Sequence, residues 1–531
     1  MTPNTQRRHP KPRLLPVCLA LLLSACGGPP SGAPDSSASA TSDTPSRPLR
    51  FGLAASPITL DPRFATDATS SRLVRLLYDR LVDFDQNYRP RPSLAHWRKI
   101  TPRQYRVILN PKRRPFHNGA RLTAADVKAT YDAILDPDTA SPHRGMLTGI
   151  RTITLIDQDT LDFHLNAADA LFPGRLTIGI LPRQPMARGH PFSRTPIGSG
   201  PLALVAWPST GALQLRRLAD GQRITFPRVA EATVRVLKLV RGEIDLLQND
   251  LLPELITWLA GRDDVIVQTA PGGNFSYLGF QLQDPIAGDV RVRRAIAHAL
   301  DREAIIRHLR KGAARMANAL LPPDHWAGAP SLAPIPFDPA RARALLKEAG
   351  YTGDKRPRLV YKTSSDPFRV RLATLIQDQL ARAGIDIEIR SHDWGTFYGD
   401  IKAGRFQLYS LAWVGIDMPD IFRYAFHSAS LPPAGANRGR FSDPVADALI
   451  EKAEAAEEPL QQATHYRQLQ RHLLQRLPYV PLWYEDNVLV TGRHVRGYRL
   501  SPNGNYDGLL TVRISRQRTD QSPHQNTPPT P

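Results

Sequence analysis

Between residues 371 and 413 the chain reads helix, strand, helix, strand, and that order admits few folds. In 371-RLATLIQDQLARAG-384, Leu372, Leu375, Ile376, Leu380 and Ala383 recur at the spacing of one helical face, and Gly384 supplies the stop. The following 385-IDIEI-389 alternates as a strand, and beyond Trp394 a second strand is predicted over 406-FQLYSLAW-413. Strands separated by helices need crossover connections, so the sheet is expected to be parallel or mixed with helices layered on it, an α/β fold. Similar punctuation recurs elsewhere. Thr123, with Asp126 three residues on, precedes the amphipathic 124-AADVKATYDAIL-135. Asp338-Pro339 opens 339-PARARALLKEAG-350, which carries a cap, a first-turn proline and a closing glycine. In 196-PIGSGP-201, Gly198 and Gly200 are read as permitting backbone angles other residues resist, at a crossing between lobes.

The N-terminus assigns a compartment. Arg7, Arg8, Lys11 and Arg13 precede the apolar run 14-LLPVCLALLL-23 and the small residues before Cys26, the layout of a secretory signal. Ten residues rise only about 15 Å as a helix, half a bilayer's hydrocarbon core. Leu23-Ser24-Ala25-Cys26 resembles a bacterial lipobox, which implies a signal peptide over 1–25 and a lipidated Cys26. Cys18 leaves with the signal, so the exported chain has no disulfide and is held by its core alone. Residues 26–47, rich in Gly, Pro, Ser and Ala, are expected to form a flexible tether, and 516–531 a disordered tail. The roughly 465 residues between are too many for one core and point to two or three lobes.

The formal charge is +20, or +16 without the four N-terminal bases. Lys and Arg are scattered, with no zinc finger, aromatic RNA-binding signature or basic helix, so no nucleic-acid partner is expected. Catalytic signals are missing too: 198-GSG-200 lacks the nucleophile-elbow spacing, and there is neither His-Glu-x-x-His nor a phosphate-cradling Gly-x-x-x-x-Gly-Lys run. Nothing in the sequence argues for an enzyme, a cofactor or a protein-held metal site.

Seven stretches, taken together and in order, resemble the family 5 extracytoplasmic solute-binding proteins of peptide and nickel ABC importers. They are 56-SPITLDPRFATDATSSRLVRLLYDRLVDFD-85, 116-FHNGARLTAADVKATYDAILDP-137, 196-PIGSGP-201, 241-RGEIDLL-247, 290-VRVRRAIAHALDREAII-306, 341-RARALLKEAGY-351 and 478-PYVPLWYED-486. The resemblance implies a two-lobed, periplasmic-binding-protein-like α/β fold of the large, three-domain type II form. Domain I would comprise residues 48–89, 196–275 and 487–515, domain II residues 90–195 and domain III residues 276–486, with hinge segments near Asn274 and Asp486. It further implies a monomer that closes on a short peptide and presents it to a permease and its ATPase. A nickel or metallophore complex held near His427 or His392, and a sensor without transport, are the alternative roles.

Peptide-binding relatives carry Trp-x-x-Asp-x-x-Asp-Pro after a domain III strand, and the first aspartate meets the peptide's α-ammonium. This chain has 413-WVGIDMPDI-421, with one more residue between Trp413 and Asp417 and Ile421 in place of the proline. Asp417 is therefore a candidate anchor, while capping of the next helix is the ordinary role of such an acid, assigned here to Asp420. Trp413, Trp394 and Tyr277 are candidates to line the cleft. No arginine stands out as a carboxylate clamp, which points toward longer or amidated ligands.

Overall fold

The computed structural model describes residues 47–433 and 435–515. The expectations for Cys26, for most of the tether and for the 516–531 tail lie outside them. Arg47, at the tether's expected end, is already fixed: its guanidinium bonds Asp245 at 2.7 and 3.2 Å.

The anticipated helix and strands are present, the helix and first strand longer than expected and the second strand two residues shorter. The helix runs Pro367–Ala383, capped by Asp366, which accepts from the Arg369 amide, and it ends at Gly384 with φ +95°. The strands are Asp386–His392 and Leu408–Trp413. Both run parallel to or alongside Arg358–Ser364 in parallel register, as the crossover order requires. Asp126 accepts from the Thr123 amide at 2.8 Å, starting Ala124–Leu135, and Asp338 accepts from the Arg341 amide at the start of Pro339–Glu348.

Among the described residues the largest sheet has 11 strands. From one edge it runs Asp386–His392, Arg358–Ser364, Leu408–Trp413, Val265–Phe280, Tyr479–Gly492, Leu246–Gln248, Leu49–Gly52, Arg223–Phe226, Leu213–Arg217 and Leu202–Ala206, while Ala314–Met316 pairs beside Tyr479–Gly492. Two long antiparallel strands, Val265–Phe280 and Tyr479–Gly492, join its halves, and their register breaks between Ala270 and Asn274. A separate antiparallel sheet holds Ala95–Thr101, Gln104–Leu109, Thr160–Leu165 and Ile150–Leu155.

Each region buries its own apolar cluster. One face of the 358–413 strands packs Val292, Ile296, Leu345, Leu372, Ile376 and Leu380; the other packs Phe397, Ile401, Phe422, Ile450 and Leu469. Leu49, Phe51, Leu73, Leu77, Leu215 and Ile224 form a core at the opposite half of the large sheet. Val107, Phe116, Val127, Tyr131 and Phe163 form that of the four-stranded sheet. Several cores rather than one is what a chain of this length requires.

The glycines of 196–201 act differently from expectation. Neither Gly198 nor Gly200 has positive φ. They are needed for close approach: a Cβ on Gly198 would overlap the Leu77 carbonyl, and one on Gly200 the carbonyls of Leu76 and Leu77. That contact is sealed by Gly200 N–H donating to Leu77 O at 2.9 Å and His117 N–H to Gly198 O at 2.7 Å. Gly198→Ala is expected to destabilise the protein by about 1–3 kcal/mol, read as a lower urea midpoint at unchanged slope. An unchanged midpoint would mean that the Leu77 turn shifts freely.

Candidate functional site

Three parallel strands end together at Ser364, His392 and Trp413. Phe275 sits opposite Trp413, so the edge also carries the register break of the long strands. The carboxyl ends of parallel strands leave unpaired backbone and diverging loops, and ligands in open α/β sheets are held there. From this edge the chain turns through Gly415 (φ +68°) into Asp417 and reaches the helix Ile421–Phe426.

Asp417 is partly buried and projects toward the other half of the molecule. Its Oδ1 accepts from Asn503 Nδ2 at 3.2 Å. The Asn503 amide oxygen is occupied by Ser501 Oγ at 2.6 Å, which turns the amide nitrogen to Asp417. Burial raises the Asp417 carboxyl to about 6; Asn503 and Arg75 pull it down, Asp83 pushes it up and Arg80 pulls it down. No cation of the described residues bonds it directly. Beneath it lies His325, 2% exposed, whose Nδ1 accepts from the Ala327 amide at 3.0 Å. The proton therefore sits on Nε2, which points to the Asp417 carbonyl at 3.4 Å. Burial holds His325 down to about 4, so it is neutral, and Tyr88 covers its ring at 5.0 Å.

Facing Asp417 is a cluster of charges from the first 91 residues and the C-terminal segment. Arg75 is bidentate to Asp83 at 2.9 Å and reaches Asp507 at 2.8 Å. Arg91 also donates to Asp83, at 3.1 Å. Among the described residues the Arg80 side chain has one long contact, 3.4 Å to the shared Asp83, and its buried Nε has no partner.

Asp420 occupies the N-terminal position of Ile421–Phe426 but makes no capping hydrogen bond. The expectation of a cap is corrected: its carboxylate accepts from Arg175 at 2.9 Å, and Arg175 also holds Asp169 at 2.8 Å. Beside this pair Met418 fills the space where a Cβ on Gly174 would be. An ion partner 245 residues away outcompetes a local amide that the preceding turn, in helical φ/ψ, does not present.

The aromatic candidates converge on a residue the sequence reading did not nominate. Arg438 is 9% exposed and lies with its guanidinium over the Trp413 ring, 4.8 Å from the centroid. Its Nη1 donates to Tyr277 Oη at 3.3 Å and its Nη2 to Tyr398 Oη at 3.2 Å. Tyr277 is fully buried, stacked on Tyr479 at 3.9 Å, so it backs the site rather than lining it. Trp394 begins the helix Trp394–Ala403, is 58% exposed and stacks on Tyr398 at 5.5 Å. Trp413 is half-buried, with its indole N–H buried and unpartnered. Asn437 fixes the Arg438 loop by donating to His427 O and Phe441 O. His427 is engaged locally, accepting from the Ala429 amide and meeting Glu451 at 3.3 Å, while His392 ends its strand with Nε2 buried and unpartnered.

Comparison with known proteins agrees with this architecture. Residues 92–431 match the family described as bacterial extracellular solute-binding proteins, family 5 Middle. This chain belongs to family 5 of the bacterial extracellular solute-binding proteins. The chain is similar to the heme-binding protein A of Haemophilus influenzae, 24% identical with 95% of this chain and 99% of that one covered. The dipeptide-binding protein of Pseudomonas aeruginosa is 25% identical, covering 86% and 92%. Among solved structures, AppA from Bacillus subtilis in complex with a nonapeptide superposes with TM-score 0.76 at 21% identity, covering 88% and 99%. NikZ from Campylobacter jejuni in complex with Ni(L-His) gives 0.77 at 21% identity, with the same coverage. The fold of this family 5 protein is thus the two-lobed type II form, and the carboxyl edge carrying Trp413 and Asp417 belongs to one of its lobes.

Proposed function

We propose that this protein is the solute-binding lipoprotein of an ABC importer, capturing short peptides between its lobes and delivering them to a membrane permease. The observation that carries the reading is Asp417: a carboxylate at the strand edge, raised toward 6 by burial, with an amide as its one side-chain partner among the described residues. A ligand ammonium is the group that relieves it. Two unit charges about 4 Å apart attract by roughly 4 kcal/mol at an effective dielectric near 20. Relatives named for dipeptides and oligopeptides support the peptide assignment.

In this reading residues 48–89, 196–275 and 487–515 form domain I, 90–195 domain II and 276–486 domain III. The hinge is the register break of the two long strands. Cys26 carries the lipid, the protein works as a monomer, and binding with closure is the whole mechanism, without catalysis. Closure requires a ligand with differential contact to the two states. Asn503 and the Arg80 cluster on one side and Asp417 on the other supply that contact.

Two measurements test it. Native mass spectrometry of gently purified protein should show retained masses of short peptides, and N-acetylated peptides should bind far more weakly than their free-amine forms. Equal binding of both would remove the amine anchor. The pH dependence has a definite sign. Only ionised Asp417 holds an ammonium, so with the carboxyl near 6 a proton competes at lower pH. Affinity for a free-amine peptide should be nearly constant from pH 8 to 7 and fall about tenfold by pH 5. Calorimetric titrations across that range check it, and a flat profile counts against the anchor.

A further inference from the structure

We infer that residues 501–504 form a strut between the two long strands and Asp417, and that Asn503 is the positioning residue that keeps this carboxylate aimed at the solute. The inference rests on the peptide reading above and adds to it how the amine anchor is set.

The strut is built on the register break that the same reading takes as the hinge. There Gly273 N–H donates to Pro502 O at 3.2 Å, and Asn487 Nδ2 donates to Ser501 O at 3.1 Å and to Pro502 O at 2.9 Å. The Asn487 amide is itself oriented by Asn249 Nδ2, which donates to its oxygen at 3.0 Å. At the other end of the loop Gly504 has φ +71°, and its carbonyl accepts from Gln248 Nε2 at 2.8 Å. A Cβ there would meet Asn487 Oδ1 at 3.0 Å, so the loop lies close against the strand that carries Asn487.

Asn503 projects from this base. Its Oδ1 accepts from Ser501 Oγ at 2.6 Å and from the Asn505 amide at 3.4 Å, so the side chain cannot turn over without stranding two donors. Its Nδ2 is thereby fixed toward Asp417 and donates to Oδ1 at 3.2 Å. Asp417 Oδ2 has no hydrogen bond from the described residues, and it is the oxygen a solute ammonium can take. The main chain of Asp417 is referred to the same place. His325 Nε2 meets its carbonyl at 3.4 Å, Tyr88 covers His325, and Tyr88 Oη stands 3.2 Å from where a Cβ on Gly273 would be. Both routes lead back to Gly273, one through hydrogen bonds and one through ring contacts. A change of angle at the register break therefore acts on the anchor's side chain and backbone together.

The other charged or titratable groups about the anchor are Arg75, Arg80 and Asp83 from one segment, Asp507 from another, and Asp324, His325 and Tyr88. The Arg175–Asp420 pair lies alongside. None of them changes in Asn503→Leu, so a shift in titration reports the Asn503 bond.

Calorimetric titration of a free-amine dipeptide and its N-acetyl form, repeated from acid to neutral pH, compares wild type with Asn503→Leu. Leucine keeps the volume but cannot donate, and losing a donor to a charged acceptor should weaken free-amine binding about tenfold near neutral pH. The donor favours the ionised carboxylate, so its loss favours the proton. The pH at which free-amine affinity is halved should rise by about one pH unit, while the N-acetyl form binds both proteins alike. Ser501→Ala frees the Asn503 amide to turn and should give a smaller loss in the same direction. Asn503→Gln, which keeps the donor on a longer stem, should recover part of the affinity. Unchanged affinity and midpoint in Asn503→Leu overturn the inference and leave the amine anchor standing. Equal losses for both peptide forms at an unmoved midpoint also overturn it, since they make 501–504 a packing element. If wild type binds both forms equally, or neither, the peptide reading fails instead. The Asp417 carboxyl, followed by NMR of isotope-labelled aspartate in the protein alone, then decides: it should titrate higher in Asn503→Leu, and equal values overturn the strut.

Discussion

Asp417→Ala should lower affinity for free-amine peptides about 100-fold or more, close to 2.8 kcal/mol, with an unchanged fold by circular dichroism. The estimate is a discounted share of the roughly 4 kcal/mol available to one ion pair at partial burial. Asp417→Asn should lose nearly as much, because its amide can keep a hydrogen bond to Asn503 but carries no charge. Binding by Asp417→Asn within a factor of three of wild type would show that charge is not the contact. The substitutions should not cost stability. Burial raises this carboxyl, so its ionised form disfavours the arrangement seen here at neutral pH, and that penalty grows as pH rises from about 4 to 6. Removing the acid lifts the penalty, and melting temperature at pH 7 should stay level or rise.

Arg175→Ala is expected to weaken peptide binding about 10- to 100-fold from a position with no ligand contact. Burial opposes the Arg175 charge, but Asp420 and Asp169 outweigh it and hold it above the ordinary guanidinium value. The three groups bridge residues 169–175 and the segment that carries Asp417. Deleting the cation leaves two carboxylates facing one another wherever the lobes meet, a repulsion the open state escapes. The cost therefore falls on closure, and small-angle scattering should show a smaller ligand-induced compaction. Adding Asp169→Asn and Asp420→Asn to Arg175→Ala should recover much of the affinity. No recovery would locate the effect in packing around Met418 and Gly174 instead.

Much of this was legible in the sequence where the signal is local. The cap and glycine of 367–384, the alternation of 385–389 and the opening of 339–348 each depend on neighbours a few residues apart. Asp417 and Trp413 were nominated because a family motif surrounds them. Asp420 was misread because its partner lies 245 residues away, and a nearby helix start offered a simpler role. Arg438 left no signal at all. Its place among the aromatic rings is seen only when residues 277, 398 and 413 come together. Gly198 was picked out correctly as special but for the wrong reason, since crowding by a distant carbonyl leaves no trace in a dipeptide pattern.

The shared sheet has a practical consequence for anyone dissecting the molecule. Val265–Phe280 and Tyr479–Gly492 thread both halves as paired backbone, so neither half owns a finished border where they meet. A gene cut at codons 270–274 would yield pieces that each bare an unzipped ribbon of amides and carbonyls, the template on which chains stick to one another. Such pieces should precipitate when expressed singly and become soluble only when made together.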